Sequence, residues 1–288
     1  MKYKDRAGNI TIKSSFQEKV INSVYSSTVG RFVLKGATNP KVSDFFSSAL
    51  NSKTSRIIIN PFIRSNGIDM DEYEYKSFES YNDFFIRQIK KQNRPINMDK
   101  NAFISPCDGK VTVYNIDSNL CFKIKGSFYN VATLLNSFKL AEEFSGGICV
   151  VIRLSVDNYH RYCYLDNAKK GANIFIPGKL HTVNPIAFEH FQIFKENSRE
   201  YCILDTENFG KVVQIEVGAM MVGKIINYHG CKTVEKGEEK GRFEFGGSTI
   251  VLLLEKDAVI LDDDIVKNSF DDFETTVKMG EKIGTRFI

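Results

Sequence analysis

Hydrophobic and polar positions change their spacing about a third of the way along the chain. In the first hundred residues, apolar side chains recur at three- and four-residue intervals, which predicts amphipathic helices around 16–24, 40–50 and 82–92. From residue 100 onward, short apolar runs are separated by Gly, Pro, Asn and Asp, which is typical of strands joined by turns. The clearest predicted strands are 111–114, 148–152, 212–217 and 250–254.

This change predicts an α+β protein. A mainly helical N-terminal region, residues 1–100, is expected to pack on a β-rich body, residues 101–288. The acidic segment after Leu261 is expected to be a short helix or a loose end. An apolar content of 42% and a charged content of 26% are ordinary for a soluble globular protein.

No apolar run approaches the roughly 20 residues that a membrane-spanning helix needs, and the first residues lack the apolar core of a signal peptide. We therefore expect a cytoplasmic protein, or one bound peripherally to a membrane. Residues 1–40 carry seven Lys and Arg against two acidic residues, within a net charge of +4. This basic region suits an anionic membrane surface, and a solvated face without a partner explains it equally well. No nucleic-acid-binding signature is present, so no nucleic-acid partner is predicted.

The cysteines and histidines give no sign of a metal site. None of the six cysteines forms a C-x-x-C pair, and reduced thiols are expected. The histidines show no ligand spacing such as H-E-x-x-H, so no metal is predicted. The four are His160, His181, His190 and His229.

The sequence Gly246-Gly247-Ser248-Thr249 leads directly into an apolar strand and is suited to self-cleavage. The Ser248 hydroxyl can attack the carbonyl of Gly247, which converts the amide into an ester, and elimination then leaves a pyruvoyl group at the new N-terminus. Gly247 lacks a Cβ atom and tolerates strained backbone angles. Alone, the tetrapeptide is equally consistent with a glycine-rich turn before a strand.

Four further motifs occur at ordered positions along the chain. They are Ser105-Pro106-Cys107-Asp108-Gly109-Lys110, Asp157-Asn158-Tyr159-His160-Arg161-Tyr162-Cys163, the stretch 177–199 and the glycine-containing stretch 217–223. With the Gly-Gly-Ser-Thr sequence, they resemble the phosphatidylserine decarboxylase proenzymes. The resemblance runs from about Asn82 to Leu254.

The resemblance implies a cut between Gly247 and Ser248, giving a β chain of residues 1–247 and an α chain of residues 248–288 that remain together as a heterodimer. Ser248 would become a covalent pyruvoyl cofactor that forms a Schiff base with the substrate amine. The implied reaction converts phosphatidylserine to phosphatidylethanolamine and carbon dioxide, in phospholipid biosynthesis. A lipid substrate further implies a peripheral protein on the cytoplasmic side of the cell membrane, at an anionic membrane surface.

The family's Asp-His-Ser relay implies that Ser248 is the nucleophile, Asp108 the aspartate and His160 the general base. Histidine is the usual base near neutral pH, and an aspartate fixes its tautomer. Many members carry a second histidine where this chain has Cys163, and an acid where it has Asn158. His181 is therefore a reserve candidate for the base, and the candidate cations for the lipid head group are Arg161, Lys179 and Arg199.

Three other functions remain open on the sequence alone. A pyruvoyl enzyme could decarboxylate a soluble amino acid instead of a lipid. A hydrolase could use Ser248, His160 and Asp108 without self-cleavage, although Ile250 stands where the G-x-S-x-G turn needs glycine. A basic binding module would have no catalytic activity.

Overall fold

The computed structural model describes residues 2–12, 48–74, 77–124, 127–178, 196–218, 224–244 and 248–287. Its largest feature is an eleven-stranded sheet with the strand order β14-β9-β11-β12-β16-β7-β4-β18-β1-β2, in which β10 pairs beside β11. The strands of this sheet are β1 Lys2–Lys4, β2 Ile10–Ile12, β4 Gly109–Asn115, β7 Ile148–Leu154, β9 Ala168–Lys170, β10 Ile174–Ile176, β11 Arg199–Thr206, β12 Lys211–Val217, β14 Lys232–Val234, β16 Ser248–Leu254 and β18 Glu274–Val277.

Three smaller sheets lie beside the large one. The sheet β13-β15-β8 consists of β8 Arg161–Cys163, β13 Ile225–Asn227 and β15 Glu239–Phe243. The sheet β17-β19-β3 consists of β3 Ala102–Ile104, β17 Val259–Leu261 and β19 Lys282–Arg286. The pair β5-β6 consists of β5 Cys121–Ile124 and β6 Ser127–Asn130.

The described helices are short. They are α1 Ile59–Asn66, α2 Tyr81–Phe85, α3 Val131–Leu135, α4 Phe138–Glu142 and α5 Asp263–Phe270, with 3-10 turns at Lys53–Ile58, Met70–Glu72 and Lys91–Asn93. None of the helices in the described part of the chain is long and apolar enough to cross a membrane.

The centre of the large sheet is buried on both faces. All seven residues of β16 are buried, as are six of the seven in β7 and in β12. The continuous apolar runs 148–152 of β7 and 250–254 of β16 are typical of strands that are covered on both faces. The predicted strands 111–114, 148–152, 212–217 and 250–254 lie within β4, β7, β12 and β16, and the α+β prediction is confirmed.

The N-terminal region differs from the prediction in two ways. The helix predicted over 82–92 covers only Tyr81–Phe85. It begins after Ser80, and not at Asn82, because the Ser80 side chain caps it by accepting a hydrogen bond from the Asp83 N–H. In addition, β1 and β2 form a hairpin that joins the large sheet through parallel pairing of β1 with β18. The helices predicted over 16–24 and over most of 40–50 lie outside the described residues.

The C-terminal segment after Leu261 is neither a loose end nor a helix alone. Helix α5 is followed by β18, which pairs with β4, and by β19, which pairs with β3. The C-terminal strands therefore belong to two sheets, β18 to the eleven-stranded sheet and β19 to the sheet β17-β19-β3. The boundary predicted near residue 100 stays a prediction.

Candidate active site

Ser248 is the first residue of β16, which lies between β7 and β12 in the large sheet. It is fully buried, and its Cα is paired with that of Leu154 in β7. On the other side of β16, Thr249 is paired with Val217 of β12. The Ser248 hydroxyl has no hydrogen-bond partner among the described residues, and Gly246 and Gly247 lie outside them. A buried hydroxyl without a partner is uncommon in a folded protein and calls for a functional explanation.

Asp108 lies at the same end of the sheet as Ser248. It directly precedes β4, and the register places Lys110 opposite Arg153, which is in turn opposite Thr249. Because neighbouring strands are about 4.8 Å apart, the start of β4 is roughly 10 Å from the start of β16. Gly109 allows β4 to pack closely against β7, since a Cβ atom at this position would lie 2.7 Å from the Ile152 Cγ2 atom.

The Asp108 carboxylate is held by an arginine that the sequence analysis did not single out. Arg94 donates to it from Nε at 2.8 Å and from Nη2 at 2.6 Å, and the Met279 N–H donates to it at 2.9 Å. Arg94 also forms an ion pair with Glu72. Within the described residues, Asp108 is therefore bonded to Arg94 and Met279, and the predicted bond to His160 is not among its contacts.

His160 is fully buried between helix α2 and the sheet β13-β15-β8, which we call the small sheet. Its Nδ1 atom lies 2.9 Å from the carbonyl oxygen of Asn158, and its ring centroid lies 4.2 Å from that of Phe85. A carbonyl oxygen only accepts hydrogen bonds, so Nδ1 carries the proton and Nε2 is the basic nitrogen of the neutral ring. The Asn158 carbonyl thus gives His160 the tautomer that a general base requires.

The small sheet brings the face that carries His160 toward the face of the large sheet that carries Ser248. The Phe243 N–H donates to the His160 carbonyl, which extends the β15–β8 ladder by one residue. Since strand residues alternate between faces, His160 and Tyr162 lie on one side of the small sheet. The Tyr162 hydroxyl donates to Asn227, whose side chain in turn contacts Glu216 of the large sheet. His160 and Ser248 therefore belong to facing surfaces.

Three residues that alternate with His160 and Tyr162 along the chain line a cavity instead. Tyr159, Arg161 and Cys163 line a cavity of about 570 Å³ together with Arg94 and other residues. Cys163 is fully buried, and burial raises the pKa of its thiol to about 12. The thiol is therefore neutral near pH 7 and does not replace a histidine as a base.

The candidate head-group cations are occupied elsewhere or lie outside the described residues. Arg161 forms an ion pair with Glu239 at 2.7 Å and donates to the Ile86 carbonyl. Arg199 is buried and donates to the carbonyl of Leu134 at 2.7 Å, and burial lowers its pKa to about 10. Lys179 and the reserve base His181 lie outside the described residues.

Two further groups were not predicted from the sequence. Arg94 lies in no motif, and only its place in a basic stretch distinguishes it. The second group is a buried ion pair between Glu216 and Lys240, which are 24 positions apart in different strands. A charged residue between the apolar residues Ile215 and Val217 of β12 was the available signal for Glu216. In the described part of the chain, no cluster of three or more His, Cys, Asp or Glu side chains could hold a metal ion.

Comparison with known proteins gives one consistent result. A family model described as phosphatidylserine decarboxylase matches residues 81–285. The phosphatidylserine decarboxylase proenzyme 2 of Clostridium acetobutylicum is 44% identical, over 96% of this chain and 94% of the relative. Proenzymes of the same name from Clostridium botulinum and Clostridium tetani are each 40% identical, over 99% of this chain and 98% of the relative. The chain belongs to the phosphatidylserine decarboxylase family.

Proposed function

We propose that this enzyme cleaves itself between Gly247 and Ser248 and then converts phosphatidylserine to phosphatidylethanolamine and carbon dioxide. The observation that carries the proposal is the buried Ser248 hydroxyl, which begins a central strand and has no partner among the described residues. The names of the relatives, which are proenzymes of phosphatidylserine decarboxylase, support both parts of the proposal.

In self-cleavage, the Ser248 Oγ atom bonds to the Gly247 carbonyl carbon, and the bond from that carbon to the Ser248 nitrogen breaks. The proton leaves Oγ and ends on the released amine, which gives an ester. Loss of the Ser248 Cα proton then expels the Gly247 carboxylate from Cβ and leaves a dehydroalanine, and water replaces its nitrogen, released as ammonia, to give the pyruvoyl carbonyl. We assign His160 as the base that carries the Oγ proton, since its Nε2 atom is the basic nitrogen and its face of the small sheet opposes that of Ser248. Asp108 is the third member of the proposed relay, since it lies at the same end of the sheet as Ser248 and is held there by Arg94.

The residues at this site fit a pyruvoyl group derived from Ser248, because a small side chain begins the strand and no described group competes for its oxygen. Such a group supplies a carbonyl conjugated to an amide, which accepts electrons when carbon dioxide is lost. The protein's own part is to exclude water and to hold a proton. Ser248 and His160 are each fully buried, and a proton on His160 Nε2 would be available to the α-carbon of the product.

The location that we propose is the cytoplasmic side of the cell membrane, at an anionic surface. Around helix α1, the side chains of Ile57 and Ile58 are 80% and 40% exposed, and the neighbouring residues include the cations Lys53, Arg56 and Arg64. Exposed apolar side chains among cations are typical of a segment that lies on anionic lipid. The substrate supports the same location, since its acyl chains remain in the bilayer.

The relay is tested by replacing His160. We expect a His160→Ala chain to remain whole, since the Ser248 hydroxyl then lacks its base. His229→Ala is the matched control, because His229 lies beside Tyr164 and Glu238, away from Ser248, and this variant should split normally. Normal splitting of a folded His160→Ala chain would remove His160 from the relay.

The alternative functions are not favoured. A hydrolase would remain one chain, whereas the relatives are proenzymes. A decarboxylase of a soluble amino acid would not require lipid, and comparing phosphatidylserine vesicles with free serine as substrates separates the two.

A further inference from the structure

Glu216 and Lys240 form an ion pair that is entirely inside the protein. The Lys240 Nζ atom lies 2.8 Å from Glu216 Oε2, and neither side chain is exposed. Burial raises the pKa of Glu216, and Lys240 opposes that shift. Taking both charges out of water generally costs more than their attraction returns, so a buried pair is weak evidence for a role in stability alone. The location of this pair indicates another role.

Glu216 lies on the same face of the large sheet as Ser248. In the β12–β16 ladder, Glu216 is directly opposite Ile250. Ser248 is two residues before Ile250, and side chains two residues apart in a strand share a face. Glu216 and Ser248 are therefore diagonal neighbours on adjacent strands, at the 7–8 Å spacing typical of such pairs.

Lys240 lies in the strand that precedes the proposed cut. Strand β15 ends at Phe243, and after four intervening residues the chain enters β16 at Ser248. The pairing of β15 with β8 is interrupted at Lys240, since Glu239 is opposite Cys163 and Gly241 is opposite Tyr162. A β-bulge of this kind redirects the extra side chain, and here it turns Lys240 inward onto Glu216.

Asn227 completes the link between the two sheets. Its Oδ1 atom accepts from Lys240 Nζ at 2.7 Å, and its Nδ2 atom donates to Glu216 Oε2 at 3.2 Å and to Glu200 Oε1 at 2.8 Å. The bonds join β15 and β13 of the small sheet to β12 and β11 of the large sheet. The strand before residues 244–247 and the strand beside Ser248 are thus fixed to each other at a buried point.

We propose that the Lys240–Glu216 pair positions the Gly247–Ser248 bond for self-cleavage. The inference rests on the proposed function. By fixing β15 to β12, the pair sets where the chain leaves the small sheet and where it enters β16, and so sets the approach of Ser248 Oγ to the Gly247 carbonyl carbon. Both are positioning residues, because they act through the backbone of β15 and β12.

The test is the double variant Lys240→Met/Glu216→Gln, which removes both charges and keeps similar side-chain volumes. Neutral replacement of both partners of a buried pair is often tolerated by a fold. The full chain is made by cell-free translation, and appearance of the fragment that begins at residue 248 is followed by mass over time. We expect self-cleavage to slow by about tenfold or more, since displacement of reacting atoms by about 1 Å can cost a hundredfold.

Stability is measured separately, with Ser248→Ala added to the wild-type and the double-variant chains so that all samples are single chains. We expect the melting temperatures of these two chains to differ by only a few degrees, about the effect of a small change in stability. The control variant is Lys211→Met/Glu143→Gln, an ion pair at the far end of β12, which should cleave at the wild-type rate. A merely structural pair would change melting temperature and cleavage together.

Cleavage of the double variant at the wild-type rate would overturn the inference. If that variant does not fold, Asn227→Ala decides, since it removes the Asn227 contacts to Lys240, Glu216 and Glu200 and keeps the ion pair. A folded Asn227→Ala chain should cleave about threefold more slowly, by the relation between rate and barrier, and an unchanged rate would overturn the inference. If the wild-type chain itself does not split, the proposed self-cleavage fails, which is a separate result.

Discussion

Arg94 and Asp108 are joined by two parallel hydrogen bonds inside the protein, 2.8 Å from Nε to Oδ1 and 2.6 Å from Nη2 to Oδ2. Their side chains are 5% and 7% exposed. The planar guanidinium matches both carboxylate oxygens at once, which a lysine in its place would not do. The pair ties the segment after helix α2 to the start of β4, at the end of the sheet where Ser248 lies.

Replacing Arg94 with Gln is expected to lower the free energy of unfolding by about 3–5 kcal/mol, because Asp108 would remain buried with its charge unpaired. The measurement is denaturant unfolding in chains that also carry Ser248→Ala, so that cleavage does not confuse the comparison. Arg242→Gln serves as the control, since its pair with Glu244 is more exposed and should contribute about 1 kcal/mol or less. Equal losses of unfolding free energy from both variants would show that the buried Arg94–Asp108 pair contributes no more than the more exposed pair.

Cys163→Ala is expected to cleave itself within about threefold of the wild-type rate. Burial raises the pKa of the Cys163 thiol to about 12, so almost none of it is thiolate near pH 7. The measurement is the rate at which the fragment beginning at residue 248 forms. A tenfold loss in a chain that still folds would show that the thiol takes part, in place of the second histidine of other family members.

Acid is expected to weaken the attachment of the N-terminal hairpin. Although burial opposes it, the hydrogen bonds from Lys282 and Arg6 lower the pKa of Asp262 below its ordinary value of 3.8. A carboxyl group with a lowered folded-state pKa stabilises the fold fully above its unfolded pKa, and the contribution is lost as pH falls through the folded pKa. The unfolding free energy should therefore decrease below about pH 4, and less steeply in Asp262→Asn. Identical slopes in the two chains would contradict this role.

Ile57→Asp is expected to weaken binding to vesicles that contain phosphatidylserine. The substitution places a negative charge on an exposed apolar position beside the basic residues around α1, so both apolar burial and attraction to anionic lipid are reduced. Vesicle sedimentation measures the bound fraction. Phe270→Asp is the control, since Phe270 is 90% exposed on α5, at the other end of the chain. Equal loss in both variants would contradict the proposal that the segment around Ile57 contacts the membrane.

The sequence predicted those features that depend on neighbouring residues. The strands 148–152 and 250–254 are evident because continuous apolar runs of this length are typical of buried strands. The strand 212–217 is evident because four of its six residues are apolar. The hairpin of β1 and β2 was not predicted, since three-residue strands are too short to show a period, and its partner β18 lies at the other end of the chain.

The site was predicted only in part, for the same physical reason. Ser248, Asp108 and His160 belong to local motifs, whereas the groups that hold them come from distant positions. Nothing near Arg94 signals that it contacts Asp108, and a bulge at Lys240 depends on the pairing of β15 with β8. Contacts of this kind are set by strand register, which an amino-acid sequence read alone does not specify.

Self-cleavage at Ser248 is tested most directly by the intact masses of the purified protein and of its Ser248→Ala variant under denaturing conditions. We predict two fragments from the wild-type chain, residues 1–247 and residues 248–288, with the smaller one carrying a pyruvoyl group in place of a free amino terminus. The Ser248→Ala chain should remain whole and inactive. A single uncut wild-type chain that is active on phosphatidylserine would contradict the account.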